Sequence, residues 1–228
     1  MVYRLVVKYV LEKGPAFTIL KVELNEGESI WVESGSYMLN KGDIEVKTTM
    51  GGGIVRGLLR AVAGGESLFF NIITARSKSE VWIAPPVTGD IAAVELGGEE
   101  VYIQDSSYLA HIGDVEVGVG WRGFKGLIAE GELVWVKAKG RGTVFINSFG
   151  ALEHIRVGPG EKITIDNGHF VAIKGGKWNI RKFGGWKTFF LGGEGVVVDV
   201  EGPADLWVQT RNLPAFAGIL GKFIPSKS

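Results

Sequence analysis

The stretch that decides the fold lies at residues 27–38, which read GESIWVESGSYM. The same pattern returns without a gap as GEEVYIQDSSYL at residues 98–109 and as GEKITIDNGHFV at residues 160–171. Each segment reads as a turn, a strand, a second turn and a second strand. Repetition at this period indicates that one structural unit has been copied along the chain. The sequence therefore predicts three internal repeats.

Two later signals recur in the same order in each repeat. A Gly-Glu pair opens a strand at residues 65–70, 131–136 and 193–198, and an aliphatic-aromatic-aliphatic strand follows at residues 81–83, 144–146 and 206–208. Ile30 and Val32 fall on one face of the first strand, whereas Trp31 and Glu33 fall on the other, so one face is expected to be buried. We place the repeats at approximately residues 10–83 (copy 1), 84–146 (copy 2) and 147–210 (copy 3), followed by a tail at residues 211–228.

The composition favours one all-β domain covering residues 1–228. The chain has 35 Gly, which supply the positive φ angles that many tight turns require. Three units that each expose an apolar face are expected to pack round a common axis, as a β barrel or sandwich with pseudo-threefold symmetry. The 25 basic and 25 acidic residues cancel, so no global field attracts nucleic acid. The lack of Cys fits a cytoplasmic location, and neither a signal peptide nor a membrane-spanning stretch is evident.

Residues 51–65 form an insertion that only copy 1 carries. Its apolar residues recur at helical spacing between glycines, with two arginines one turn apart, which predicts a short amphipathic helix. The candidate interaction patch consists of Ile54, Val55, Arg56, Leu58, Leu59, Arg60 and Val62. We expect this patch to mediate self-association or to cap the barrel, and we rank a protein or membrane-surface partner second. The apolar, Gly-broken tail at residues 214–225 is expected to dock on the domain.

Several of these segments together resemble one known family. They are the Gly-rich residues 51–65 before Glu66, APPVTGDI at 84–91, GHFVA at 168–172, GGEG at 192–195 and WVQTR at 207–211. In order and spacing, from about residue 10 to residue 212, they resemble the family named for altered inheritance of mitochondria. That resemblance implies an all-β fold like that of the trp RNA-binding attenuation protein (TRAP) and a non-enzymatic role. It supplies no catalytic residues, and the mitochondrial role of eukaryotic members does not transfer to a chain without a targeting extension.

Three patterns suggest chemistry, but each has a structural explanation. GVGWRG at residues 118–123 matches a dinucleotide-binding pattern, yet a further strand is predicted where that site needs a helix, so we expect a β turn. His169 takes the repeat position of Ser36 and Ser107, which favours a turn hydrogen bond. A metal site of His154, Asp166 and His169 remains the alternative. The repeated glutamates of the Gly-Glu pairs are expected to stabilise turns rather than to act as paired acid and base.

One stretch has the residue pattern typical of proteins that bind single-stranded nucleic acid, because aromatic and basic residues are interleaved in it. The residues concerned are Trp178, Arg181, Lys182, Trp186 and Lys187. We do not favour nucleic acid as the partner, because the basic residues cluster only there. Trp82, Phe145 and Trp207 share one repeat position and are expected to pack in the core.

The sequence therefore predicts a non-enzymatic binding or scaffold protein without catalytic residues, cofactor or metal. We expect a homo-oligomer with an additional protein or membrane-surface partner. Two alternatives stay open: a nucleic-acid-binding protein by analogy with the TRAP fold, and a cupin-like metal enzyme. Cupins normally carry a clustered His-x-His, which this chain lacks.

Overall fold

The structure, a computed structural model, describes residues 7–50, 69–128, 131–184 and 195–224. Within these ranges the chain is built almost entirely of antiparallel strands, so the predicted all-β class is confirmed. The strands of copy 1 are β1 (Lys8–Glu12), β2 (Ile19–Leu24), β3 (Ser29–Glu33), β4 (Tyr37–Lys41), β5 (Ile44–Met50), β6 (Phe69–Ala75) and β7 (Ser79–Ile83). Those of copy 2 are β8 (Ile91–Gln104), β9 (Tyr108–Ile128) and β10 (Gly131–Asn147). Those of copy 3 are β11 (Leu152–Val157), β12 (Lys162–Asp166), β13 (Phe170–Lys182) and β14 (Val196–Gln209).

The described helical segments are short. Two 3-10 turns, Asp105–Ser107 and Asn167–His169, join β8 to β9 and β12 to β13, at the position where the sequence predicts the second turn. The described α-helix, α1 (Leu213–Gly221), lies in the tail, where the sequence analysis predicted none. The helix predicted within residues 51–65 falls outside the described residues.

The strands form two sheets. One has the order β1-β2-β7-β4, and the other has the order β11-β14-β13-β8-β10-β9-β3-β6-β5, with β12 also paired to β14. Apolar residues alternate along the strands as predicted: Ile30 and Val32 are fully buried, and Ile165 is buried beside exposed Thr164. This period of two is what a sheet with one fully covered face requires.

Successive copies join edge to edge. Strand β3 of copy 1 pairs with β9 of copy 2, where Trp31 lies opposite His111, and β8 of copy 2 pairs with β13 of copy 3, where Tyr102 lies opposite Ile173. Closing a threefold ring within one chain would require a third pairing, between β12 of copy 3 and β4 of copy 1. In the described ranges β4 pairs only with β7, and β12 pairs only with β14.

The buried apolar side chains form three clusters, and each cluster is built mainly from one copy. The first comprises residues of β2, β3, β6 and β7, the second is centred on β8, β9 and β10, and the third lies between β11, β12, β13 and β14. The copies also exchange side chains. Phe145 of copy 2 packs in the first cluster, and Trp207 of copy 3 packs in the second.

The segments that begin the copies run side by side. Phe17 forms a parallel bridge with Gly89, which forms another with Gly150. The Thr18 amide donates to the Gly89 carbonyl at 3.1 Å, and the Asp90 amide donates to the Gly150 carbonyl at 3.2 Å. A Cβ atom on Gly89 would lie 1.7 Å from the Ser148 carbonyl oxygen, so this close approach of backbones requires glycine.

Candidate interaction surface at the C-terminal helix

The residue that precedes α1 fixes the helix to copy 3. Asn212 is the N-cap: its Oδ1 accepts the Ala215 amide at 3.0 Å, and its Nδ2 donates to Asp166 Oδ1 at 3.4 Å. Pro214 lies in the first turn, where a missing N–H costs nothing. The end of β14 therefore sets the direction in which α1 leaves the sheet.

The inner side of α1 covers a cavity of about 270 Å³. The helix contributes Leu213, Pro214 and Ala217, and Phe216 packs on Phe149 with ring centroids 5.3 Å apart. The rest of the lining is Val87, Gln104, Asp105, Ser106, Ser107, Asn147, Phe149 and Gln209.

Amide side chains give this cavity a polar floor. Gln209 is satisfied, because its Oε1 accepts the Phe149 amide at 2.9 Å and its Nε2 donates to the Gly168 carbonyl at 2.8 Å. Gln104 Oε1 and Asn147 Oδ1 are buried without a hydrogen-bond partner in the described part of the chain. The volume falls just below the range typical of small-molecule sites. The cavity is therefore small for an organic substrate, and α1 forms one of its walls.

The outer side of α1 and the residues after it are apolar and exposed. The exposed fractions are Phe216 43%, Ile219 54%, Leu220 46%, Phe223 80% and Ile224 69%. We call these five residues the apolar ridge. The helix itself contains no charged residue, Arg211 and Lys222 flank it, and Asp205 is the last acidic residue in the sequence. A contiguous exposed apolar patch with basic flanks is typical of a surface that binds a partner.

The candidate patches from the sequence have different outcomes. Ile54, Val55, Arg56, Leu58, Leu59, Arg60 and Val62 lie outside the described residues, as do Trp186 and Lys187. Trp178 is half-buried, 5.0 Å from the Tyr102 ring and 4.9 Å from the Trp135 ring. Arg181 forms a bidentate ion pair with Asp199 at 2.5 and 3.0 Å. The Trp178 ring thus packs on other aromatics, and the Arg181 guanidinium binds a carboxylate.

The histidines do not converge. His154 Nε2 lies 2.8 Å from Asp205 Oδ1, and its ring stacks on Trp207. Asp166 accepts the Gly168 amide at 2.9 Å, whereas His169 Nδ1 lies 2.8 Å from the Gln209 carbonyl. The described ranges contain no group of three or more His, Asp or Glu side chains placed to hold a metal ion. The His169 ring bonds to the Gln209 carbonyl of β14 rather than within its own turn, and the Ser36 hydroxyl is buried beside the Glu33 carboxyl, whose pKa it lowers.

The repeated glutamates take the structural role that the sequence predicted for them. Glu28 accepts the Asn25 amide at 2.8 Å, Glu99 accepts the Gly97 amide at 2.5 Å, and Glu161 accepts the Gly158 amide at 2.8 Å. Glu28 and Glu161 thus close the turns that precede β3 and β12, whereas Glu99 bonds to Gly97 inside β8. Hydrogen bonds from the backbone amides of Glu99 itself and of Gly97 lower the pKa of the Glu99 carboxyl.

Two other sequence interpretations need correction. Residues 118–123 lie inside β9, so GVGWRG is neither a phosphate loop nor the predicted turn. A Cβ on Gly120 would lie 2.7 Å from Lys137 Cβ and 2.9 Å from the Tyr102 ring, which explains that glycine. Phe145 and Trp207 are buried as predicted, but Trp82 is only half-buried.

Sequence reasoning missed a cluster of buried titratable groups between copies 1 and 2. The Tyr108 hydroxyl lies 2.6 Å from His111 Nδ1, and His111 stacks on Trp31. Burial lowers the pKa of His111 to about 3, which keeps the ring neutral. Burial also raises the pKa of Glu33 to about 8, with a further contribution from Asp105, while the nearby Ser36 hydroxyl opposes the shift. These residues lie where β3 of copy 1 meets β9 of copy 2.

The comparisons agree with this architecture. The sequence model of the mitochondrial biogenesis AIM24 family matches residues 9–211, so the chain belongs to that family. An uncharacterised protein of Streptococcus pyogenes serotype M6 is 27% identical over 97% of this chain and 92% of its own length. A crystal structure of a Streptococcus pyogenes protein, also 27% identical, superposes with a TM-score of 0.80 over 96% of this chain and all of that one. No described helix has the length and apolar character needed to cross a membrane.

Proposed function

We propose that this protein is a non-enzymatic, self-associating scaffold that attaches to an anionic membrane surface through the apolar ridge. The observation that carries the proposal is the exposure of five large apolar side chains on and after α1, with Phe223 at 80%. Exposing such residues together to water is unfavourable in free energy unless a partner covers them. The Cys-free composition fits the reducing cytoplasm, where we place the protein.

Charge decides between a lipid surface and other apolar partners. Residues 206–228 contain Arg211, Lys222 and Lys227 and no acidic residue, although the whole chain has equal numbers of both signs. Each such cation contributes about 1 kcal/mol of attraction near an anionic bilayer. Phe216 keeps its contact with Phe149, whereas the other four residues of the ridge are exposed, so these four can enter the headgroup region without any unfolding.

We also propose that the three copies are arranged as in the TRAP fold, with successive repeats paired edge to edge around a common axis. The two edge pairings, β3 with β9 and β8 with β13, support this arrangement because they use the same repeat positions. One rotation that carries Ile30 onto Val101 must then also carry Val101 onto Ile163. An experimental structure in which these two rotations differ in axis or angle would contradict the proposal.

Vesicle flotation tests the membrane attachment. The protein should float with phosphatidylcholine vesicles containing phosphatidylglycerol and remain in solution with phosphatidylcholine alone. Phe223→Ala should weaken binding by about 10-fold to 30-fold, because burying a phenylalanine side chain contributes about 1.5–2 kcal/mol. Val46→Ala, which removes a 51% exposed side chain from β5, is the matched control and should bind as well as the wild type. Equal binding by both variants, or no binding at all, would refute the attachment.

A further inference from the structure

Copy 1 exposes two large side chains whose counterparts in the other copies are buried. Tyr37 is 43% exposed and Met38 is 49% exposed. The residues at the same repeat positions are Tyr108 at 1%, Leu109 at 0%, Phe170 at 0% and Val171 at 0%. The repeated sequence is apolar at these positions in all three copies, so the difference comes from the surroundings.

The covering material in copies 2 and 3 comes from the copy before. Phe70 of copy 1 packs edge-on against Tyr108 with ring centroids 5.3 Å apart. Trp135 of copy 2 stacks on Phe170 with ring centroids 4.0 Å apart. Among the described residues, no preceding copy covers Tyr37 and Met38 of copy 1.

The strand edges show the same imbalance. At each internal junction, the first strand of one copy's repeated motif pairs with the second strand of the next: β3 with β9, and β8 with β13. The two strands left without such a partner are β12, the first strand of copy 3, and β4, the second strand of copy 1. Each therefore presents one row of backbone donors and acceptors that pair with no described strand. An exposed edge of this kind is a template for pairing with another chain.

A third observation concerns the aromatic repeat position that packs in the core of the copy before it. Phe145 enters the core of copy 1, and Trp207 enters the core of copy 2. Trp82 holds the same repeat position but enters none of the three described cores. It lies half-buried under Lys21, whose Nζ is 4.0 Å from the ring, and donates to Glu80 at 2.6 Å.

We propose that the exposed side of copy 1 binds copy 3 of a second copy of this chain, head to tail, with β4 paired antiparallel to β12. The internal junctions fix the register, because Trp31 lies opposite His111 and Tyr102 lies opposite Ile173. The residues at the same two repeat positions on β12 and β4 are Thr164 and Asn40. These two residues should therefore face each other. Such a contact uses different surfaces on the two chains, so it generates a ring when the rotation closes. The inference goes beyond membrane attachment and does not depend on it, since the apolar ridge plays no part in it.

Disulfide trapping tests the pairing directly, because the chain has no cysteine. Facing residues of antiparallel strands have Cα atoms about 4.5–5.5 Å apart, which a disulfide spans without strain. Asn40→Cys and Thr164→Cys are made as single variants and combined in one double variant. A mixture of the two single variants should give a covalent dimer on mild oxidation, and the double variant should give covalent multimers. Each single variant alone should stay uncrosslinked.

Two controls keep the outcome clear. Lys8→Cys lies on β1, away from the proposed edge, and mixed with Thr164→Cys it should crosslink at least tenfold less. Met38→Asp should abolish the oligomer that the wild type forms in sedimentation experiments while leaving the far-UV circular dichroism spectrum of the chain unchanged. Crosslinking of Asn40→Cys alone would show a symmetric contact, and a crosslinked monomer from the double variant would show closure within one chain. Either result, or a monomeric wild type without crosslinks, would overturn the proposal.

Discussion

Replacing Glu33 by Gln tests the buried contact between copies 1 and 2. Glu33 ends β3 opposite Phe70, and its burial near Asp105 raises the pKa of its carboxyl from 4.5 to about 8. In the folded protein the group therefore keeps its proton up to a higher pH than in the unfolded chain. Its contribution to stability is complete below pH 4.5 and is lost as the pH rises through 8.

The magnitude follows from the size of this pKa shift. Between pH 4.5 and 8 the folded chain holds one more proton than the unfolded chain, so the free energy of unfolding falls by about 1.4 kcal/mol per pH unit at most. The side chain is half-buried and keeps some contact with solvent, which screens the effect. We therefore expect a total loss of about 2–3 kcal/mol in the wild type, which Gln avoids because it cannot ionise.

Urea unfolding of both proteins at pH 5, 7 and 9 measures the effect. Glu33→Gln should match the wild type at pH 5 and exceed it by about 2–3 kcal/mol at pH 9. Glu116→Gln, which changes an exposed glutamate of β9, is the control and should show no such divergence. If the stability difference between Glu33→Gln and wild type were the same at pH 5 and pH 9, the reasoning about this contact would be wrong.

Three further changes have defined outcomes. Trp135 is fully buried and its Nε1 has no partner among the described residues, so Trp135→Phe should cost under about 1.5 kcal/mol in urea unfolding, whereas Trp135→Ala should cost about 3–5 kcal/mol. Gly120→Ala should cost about 1–3 kcal/mol by overpacking, while Gly118→Ala, with no atom within 4 Å of its Cβ, should leave stability unchanged. Asn212→Ala should destabilise α1 by about 1 kcal/mol through loss of its cap, measured as faster tryptic cleavage at Lys222.

The strand pattern was predictable from sequence because it depends on local alternation. The faces of β3 and the turn glutamates Glu28, Glu99 and Glu161 follow directly from the repeated motif. The exposure of Tyr37 and the partial burial of Trp82 could not be predicted in this way. Residues at the same repeat position differ in burial because a preceding copy covers some of them and not others. The repeat tells which residue is apolar, but the place of the copy in the chain decides what it touches.

The C-terminal helix escaped prediction for a different reason. Residues 213–221 contain two glycines and one proline, and a nine-residue helix of this composition is not stable alone. Packing of Phe216 on Phe149 and the Asn212 cap stabilise it. The available signal for this helix was Asn212, a good N-cap residue, followed two residues later by Pro214. The Tyr108–His111 pair gave no signal, because the strand that covers it belongs to another copy.

The edge-to-edge joining of successive copies has a consequence for how the chain opens. Each copy has its own core, and among the described strands copy 1 pairs with copy 2 but not with copy 3. In such a linear array, separating a terminal copy breaks one junction, whereas exposing the middle copy breaks two. Backbone amides of β8 and β10 should therefore exchange with deuterium most slowly, and those of the outer copies should exchange in separate steps. An outer copy can thus unfold transiently while the other two copies keep their cores.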